Sequence, residues 1–218
     1  MPDILIEAAV ESLDAALAAA AGGAHRIELC TDLAHGGTTP DVQLLRECKG
    51  QLSIPIFVLV RPRPGDFVYT DIEHQTVLKH IQRAKNAGAH GIVTGALTGD
   101  RHVAEERTAA LLDAARPLPM TFHRAFDDCL ELGTALEALI RVGVPRVLTS
   151  GGARTAADGA ERIARLVTQA KGRIEILAGG GIDAENVAPL VRDTGVREVH
   201  FSVTEAEKVR AVIRALSP

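Results

Sequence analysis

No tryptophan and only one tyrosine occur in this chain of 218 residues, and the aromatic share is 3%. With so few flat rings there is no platform for stacked bases, and a net charge of −4 with both signs interspersed supplies no basic stripe for a phosphate backbone. A nucleic-acid partner is therefore not expected. Cysteine is scarce and odd in number: Cys30, Cys48 and Cys129 form no CxxC pair, which argues against a disulfide framework and against a thiolate zinc site. No run of about 18 apolar residues is free of charge, and Met1-Pro2-Asp3-Ile4 carries no basic segment leading into an apolar one. The expectation is a soluble, cytoplasmic protein with reduced thiols and no membrane partner.

What is present is a repeat. The hydrophobic share of 46% is enough for one substantial core, so residues 1–218 read as a single domain. Strand-like runs are expected at Ile4 to Ala9, Arg26 to Cys30, Ile54 to Val60, Gly91 to Thr94, Pro119 to His123, Arg146 to Ser150, Ile174 to Ala178 and Glu198 to Ser202. Helical stretches follow each, with stop and start signals between them. Gly22-Gly23 closes the first helix; Thr39-Pro40-Asp41 offers a cap with proline at the first helical position. Thr155 with Asp158, Asp183, and Thr204 with Glu207 are expected to cap the last three helices. Eight strand-helix units at about 25-residue spacing, with mostly apolar strands, predict an α/β fold closed as a (β/α)8 TIM barrel. An open doubly wound sheet is the alternative, and the absence of GxGxxG after the first strand counts against it. The long connection Arg61 to Asp71 is a candidate lid.

In such barrels the working residues sit at the C-terminal ends of the strands, and here those positions are polar. They are Glu7; Glu28 and Cys30; Arg61, with Arg63 and Asp66 just beyond; Thr94; His123, Arg124 and Asp127; Ser150; and His200 with Ser202. Strand periodicity puts Glu28 with Cys30, Thr121 with His123, and Glu198 with His200 on common faces, without saying which face points inward. One reading is a buried ionic layer in which Glu7, Glu28, Arg61 and His123 neutralise one another. The favoured reading is a pocket, because desolvating ionisable groups on at least five strands is costly unless something uses them.

Glycines narrow the ligand. Gly179-Gly180-Gly181 leads from the seventh strand toward a helix, and Gly151-Gly152 follows Ser150 after the sixth. Backbone N–H groups unobstructed by side chains suit a phosphate or carboxylate, although tight turns alone also call for glycine. The chemistry on offer is proton transfer: Glu7 or Glu28 as base, His123 or His200 as acid, Arg61 or Arg124 holding negative charge. That repertoire belongs to isomerases, epimerases and lyases acting on a small phosphorylated or carboxylate compound.

Several segments together resemble the CutC family. They are Ile4-Leu5-Ile6-Glu7, Gly23 to Cys30, Gly36-Gly37-Thr38-Thr39-Pro40, Arg61 to Phe67 with Tyr69, and Val93-Thr94-Gly95. Thr121 to Asp127, Val147 to Gly151, Ala178 to Gly181 and Glu198-Val199-His200 complete them, in order along nearly the whole chain. The resemblance implies a TIM barrel, a cytoplasmic location, a role in copper homeostasis with copper binding, and a homo-oligomer. Cu(I) prefers thiolate and thioether donors. With two methionines in the chain, the candidate metal ligands are Cys30 and Cys129, with His123 beside them.

Overall fold

Each apolar run becomes a strand and each stretch between becomes a helix in a computed structural model that describes residues 4–217. The Met1 to Asp3 stretch, read for the absence of a targeting signal, lies outside the described residues. The strands are β1 (Leu5–Val10), β2 (Arg26–Leu29), β3 (Ile56–Leu59), β4 (Gly91–Thr94), β5 (Met120–Phe122), β6 (Arg146–Thr149), β7 (Glu175–Gly179) and β8 (Glu198–Ser202). The helices are α1 (Leu13–Gly22), α2 (Val42–Gln51), α3 (Asp71–Asn86), α4 (Glu105–Ala115), α5 (Leu132–Val142), α6 (Ala160–Ala170), α7 (Val187–Thr194) and α8 (Ala206–Leu216). Every strand runs parallel to the next and β8 pairs with β1, so the sheet closes as the (β/α)8 barrel that the repeat predicts. No helix among the described residues is long and apolar enough to cross a membrane.

Helix boundaries follow local chemistry, with some shifts from expectation. Ser12 accepts the Ala15 N–H to cap α1, and Gly23 ends it in the left-handed region at φ 98°. At α2 the cap is Asp41, which accepts the Gln43 N–H at 2.6 Å; Thr39 instead donates its hydroxyl to the Arg61 carbonyl. α3 opens with a capping box of Thr70 and Glu73 that the sequence reading passed over. The box expected from Thr204 and Glu207 does not form: α8 starts after Glu205 without a side-chain cap, and Glu207 pairs with Arg210 and Arg214. Thr155 and Asp158 do join, in the turn ahead of α6, and Asp183 ties the turn ahead of α7, where Asn186 holds the capping position.

Strand parity settles which face points where. Ile6, Ala8 and Val10, Ile27 and Leu29, Ile56 and Val58, and their equivalents pack outward against helix residues such as Ala16, Leu45, Val77 and Leu111 in one continuous core. The alternate positions face the barrel axis, where Cys30, Phe57, Leu59 and Val93 form a second, small apolar cluster. Deeper in the barrel lies an ionic layer. Arg26 pairs with Glu7 and with Glu198 at 2.6 Å, and Arg146 pairs with Glu198 at 2.6 Å. Both guanidinium groups lie over the Phe57 ring, at 4.8 and 5.8 Å from its centroid.

Candidate functional site

Above that layer the barrel opens into a cavity of about 290 Å³ at the C-terminal ends of the strands. Glu28, Arg61, His123, Arg124, His200 and the Gly180-Gly181 turn line it. Three of these side chains carry a buried polar atom with no partner: Glu28 Oε2, Arg61 Nε and His123 Nε2. A buried polar group without a hydrogen bond costs free energy, so three on side chains that line one cavity single it out as the candidate site.

Arg61, just past β3, is 4% exposed and faces no carboxylate. Its guanidinium donates to the carbonyls of His35, Gly37 and Gly65, and it lies 4.7 Å over the Phe67 ring. A cation fixed by backbone carbonyls and a ring retains its charge for an incoming anion. The candidate lid from Arg61 to Asp71 is folded down: Arg63 binds Glu73, Asp66 and the Val68 carbonyl, and Phe67 packs 4.8 Å from the His123 ring.

His123 lies one residue past the end of β5 and caps a short 3-10 turn, Arg124–Asp128. Its Nδ1 accepts the Ala125 N–H at 3.3 Å, which leaves the proton of the neutral ring on Nε2. Burial, helped by the Arg61 charge, pushes its pKa down to about 3. His123 is thus a neutral donor facing the cavity.

Glu28 has the opposite perturbation. Burial, with the Glu7 carboxylate adding repulsion, pushes it up to about 7 despite the opposing pull of His200 and Arg26. Glu7 is held at about 2, because the hydrogen bond from His200 and the Arg26 charge outweigh burial. His200 donates from Nδ1 to Glu7 at 2.7 Å; burial pushes its pKa down, yet Glu7 and Glu28 together carry it upward. Of the four groups that might have neutralised one another, only Glu7 is consumed in the ionic layer.

Arg124 extends from the 3-10 turn along the cavity wall. Asp127 holds its Nε at 2.8 Å and Ser150 accepts from its Nη2 at 2.7 Å. Asp127 also accepts the Ser150 and Gly152 N–H groups and the Thr149 hydroxyl, so it fixes the β6 turn rather than facing the cavity. Gly180 and Gly181 have φ values of 109° and 68°, and a Cβ on Gly180 would lie 3.4 Å from Arg124. Lys208, on α8, also lines the cavity and donates to the Ser202 carbonyl.

The remaining candidates fall elsewhere. Ser202 lines the cavity. Thr94 faces the helices and donates to the Val60 carbonyl; Gly151 packs over Gly159; Gly179 lies against Leu148 and His200; Arg63 and Asp66 organise their own loop. Cys30 belongs to the apolar cluster inside the barrel and donates to the Val10 carbonyl, whereas Cys129 packs in the outer core and lines a separate groove with Leu130 and Leu132. Burial raises both thiols, Cys129 to about 12. Among the described residues, the one group of three metal-ligating side chains within 4.8 Å is Glu7, Glu28 and His200.

Sequence reasoning missed Arg26, Phe67 and Lys208. Arg26 shares a strand face with Glu28, so periodicity could have found it; Lys208 left no signal, being one charge among several on α8.

Comparison with known proteins agrees along the chain. The CutC family profile matches residues 4–205. The human protein named copper homeostasis protein cutC homolog is 46% identical over 198 residues, covering 91% of this chain and 72% of its own. A family protein CutC of Mesorhizobium japonicum is likewise 46% identical, covering 91% of this chain and 77% of its own. The crystal structure of CutC from Streptococcus agalactiae superposes with a TM-score of 0.86 at 35% identity, covering 90% of this chain and 97% of that one. With a profile match over nearly its whole length and relatives this similar, the chain belongs to the CutC family.

Proposed function

We propose that this protein serves copper homeostasis, the role its human and mouse relatives are named for, through a mouth pocket that binds a small anionic compound and moves a proton on it. The observation that carries the reading is that three side chains lining one cavity, Glu28, Arg61 and His123, each hold a buried polar atom without a hydrogen-bond partner among the described residues. Arg61 and Arg124 attract negative charge, His123 donates a hydrogen bond, and Glu28 sits where it can be charged or neutral near pH 7. The size of the cavity, at the lower end of small-molecule sites, suits a compact metabolite. The test is untargeted capture of compounds from a mixture of small organic anions by the wild type and by Arg61→Leu. A compound retained by the first and released by the second supports the reading; retention of none, or equal retention by both, removes it.

Direct copper binding is the second reading, favoured by the three nitrogen and oxygen donors of Glu7, Glu28 and His200. That set suits Cu(II) better than Cu(I), while the separate, protonated thiols of Cys30 and Cys129 do not make a soft site. Copper titration of Cys30→Ser, Cys129→Ser and Glu28→Gln separates the cases. Stoichiometric Cu(I) binding lost in a cysteine variant would establish a thiolate site; Cu(II) binding lost in Glu28→Gln would place the metal at the mouth.

A further inference from the structure

Resting on the anion-binding reading of the mouth, we propose a specific reaction class: abstraction and return of a proton on the carbon beside the carbonyl of a small α-hydroxy carbonyl compound that carries a terminal anionic group. Glu28 is the base. His123, as a neutral imidazole, and Arg61 hold the carbonyl oxygen.

The division of labour follows from where the free atoms are. Deprotonating carbon next to a carbonyl moves the C–H electron pair into a new C=C bond and shifts the carbonyl π pair onto oxygen. The site must therefore present a base to the carbon and donors to the oxygen. Among the described residues, Glu28 Oε2, Arg61 Nε and His123 Nε2 are buried polar atoms without a geometric hydrogen bond on side chains that line the cavity, with the Tyr69 hydroxyl beside Arg61. The His123 proton is fixed on Nε2 because Nδ1 is occupied by the Ala125 N–H. A neutral imidazole donates to a forming enolate without giving up its proton, which suits oxyanion stabilisation.

The anionic end has its own place. Arg124 is locked by Asp127 and Ser150, and its guanidinium lies against the Gly180 backbone, so closely that a Cβ there would sit 3.4 Å from it. Lys208 also lines the cavity, its ammonium donating to the Ser202 carbonyl at 2.7 Å. One cavity thus holds a charged handle and a reacting end. The proton taken by Glu28 returns to the neighbouring carbon, with the enediol hydroxyl proton moving to the first oxygen, for isomerisation; return to the same carbon gives exchange. No oxidant, reductant or further reactant enters the balance.

Two probes, dihydroxyacetone phosphate and hydroxypyruvate, supply the phosphate and carboxylate forms of the class. Each is incubated with the protein in heavy water, and loss of the C–H signal beside the carbonyl is followed by proton NMR, with probe affinity measured by calorimetry. The expected result is exchange of at least one probe roughly a hundredfold or more above buffer. Glu28→Gln should abolish that acceleration while keeping affinity within about threefold, Glu28→Asp should restore part of it, and His123→Asn should slow exchange more than it weakens binding. Binding without exchange, or exchange that survives in Glu28→Gln, overturns the proposal while leaving the anion-binding reading intact. Failure of both probes to bind also overturns it, and the capture experiment then decides alone on the broader reading.

Discussion

Glu28 shows how function is set against stability at a single residue. Its folded pKa, near 7, is above that of an exposed carboxyl, so the fold favours the protonated form. The stability contributed by that preference is complete below about pH 4.5 and is lost as pH rises toward 7. Glu28→Gln should therefore be more stable than the wild type at pH 8, by about 2 kcal/mol, with the gap closing at pH 4. Urea denaturation at the two pH values reads this; a variant equally or less stable at pH 8 would show that the carboxylate has a partner there. Glu7, three residues before the end of β1, behaves in reverse. Held at about 2, it contributes stability above pH 4.5 that disappears as pH falls toward 2. Nothing in the sequence separates these two glutamates; the difference comes from Arg26 and His200, which reach Glu7 across strand pairs.

At the scale of the element, the segment from β5 through the 3-10 turn depends on Asp127. Its carboxylate is 7% exposed and accepts from Ser150, Gly152, Thr149 and Arg124, so it fastens the β6 turn and aims the arginine at once. Asp127→Ala should cost about 3 kcal/mol in chemical denaturation and weaken anion binding through Arg124. An unchanged midpoint would mean that the turn holds without it. In α3, Thr70→Ala removes one half of the capping box and should cost about 1 kcal/mol in the same measurement. The sequence made the elements legible because period and glycine punctuation act locally, as at β4 and β8, whose bounds match expectation. Caps were less legible where a side chain had a distant competitor. Thr39 answers to Arg61, and Glu207 to Arg210 and Arg214, and neither preference is written in the adjacent residues.

At the scale of the molecule, closing eight strands turns sequence parity into an inside and an outside. The polar strand ends were visible beforehand, but which of them face the axis was not. Register decides that Thr94 packs outward while Glu28, Arg61 and His123 share one cavity. The same closure brings Arg26, Glu198 and Arg146 together beneath the mouth from strands far apart in the chain. Arg26→Leu would leave Glu7 with His200 alone and Glu198 with Arg146 alone, and should cost about 3 kcal/mol, read by thermal or urea unfolding at pH 7. A loss below about 1 kcal/mol would show that the layer is not a support for the site above it. The most direct test of the central claim is a crystal structure of the protein saturated with the anion it retains in the capture experiment. The account predicts ligand density within hydrogen-bond reach of Arg61 Nε, His123 Nε2 and Glu28 Oε2, with the charged group toward Arg124; density confined to the outer groove beside Cys129, with those three atoms still unpartnered, would contradict it.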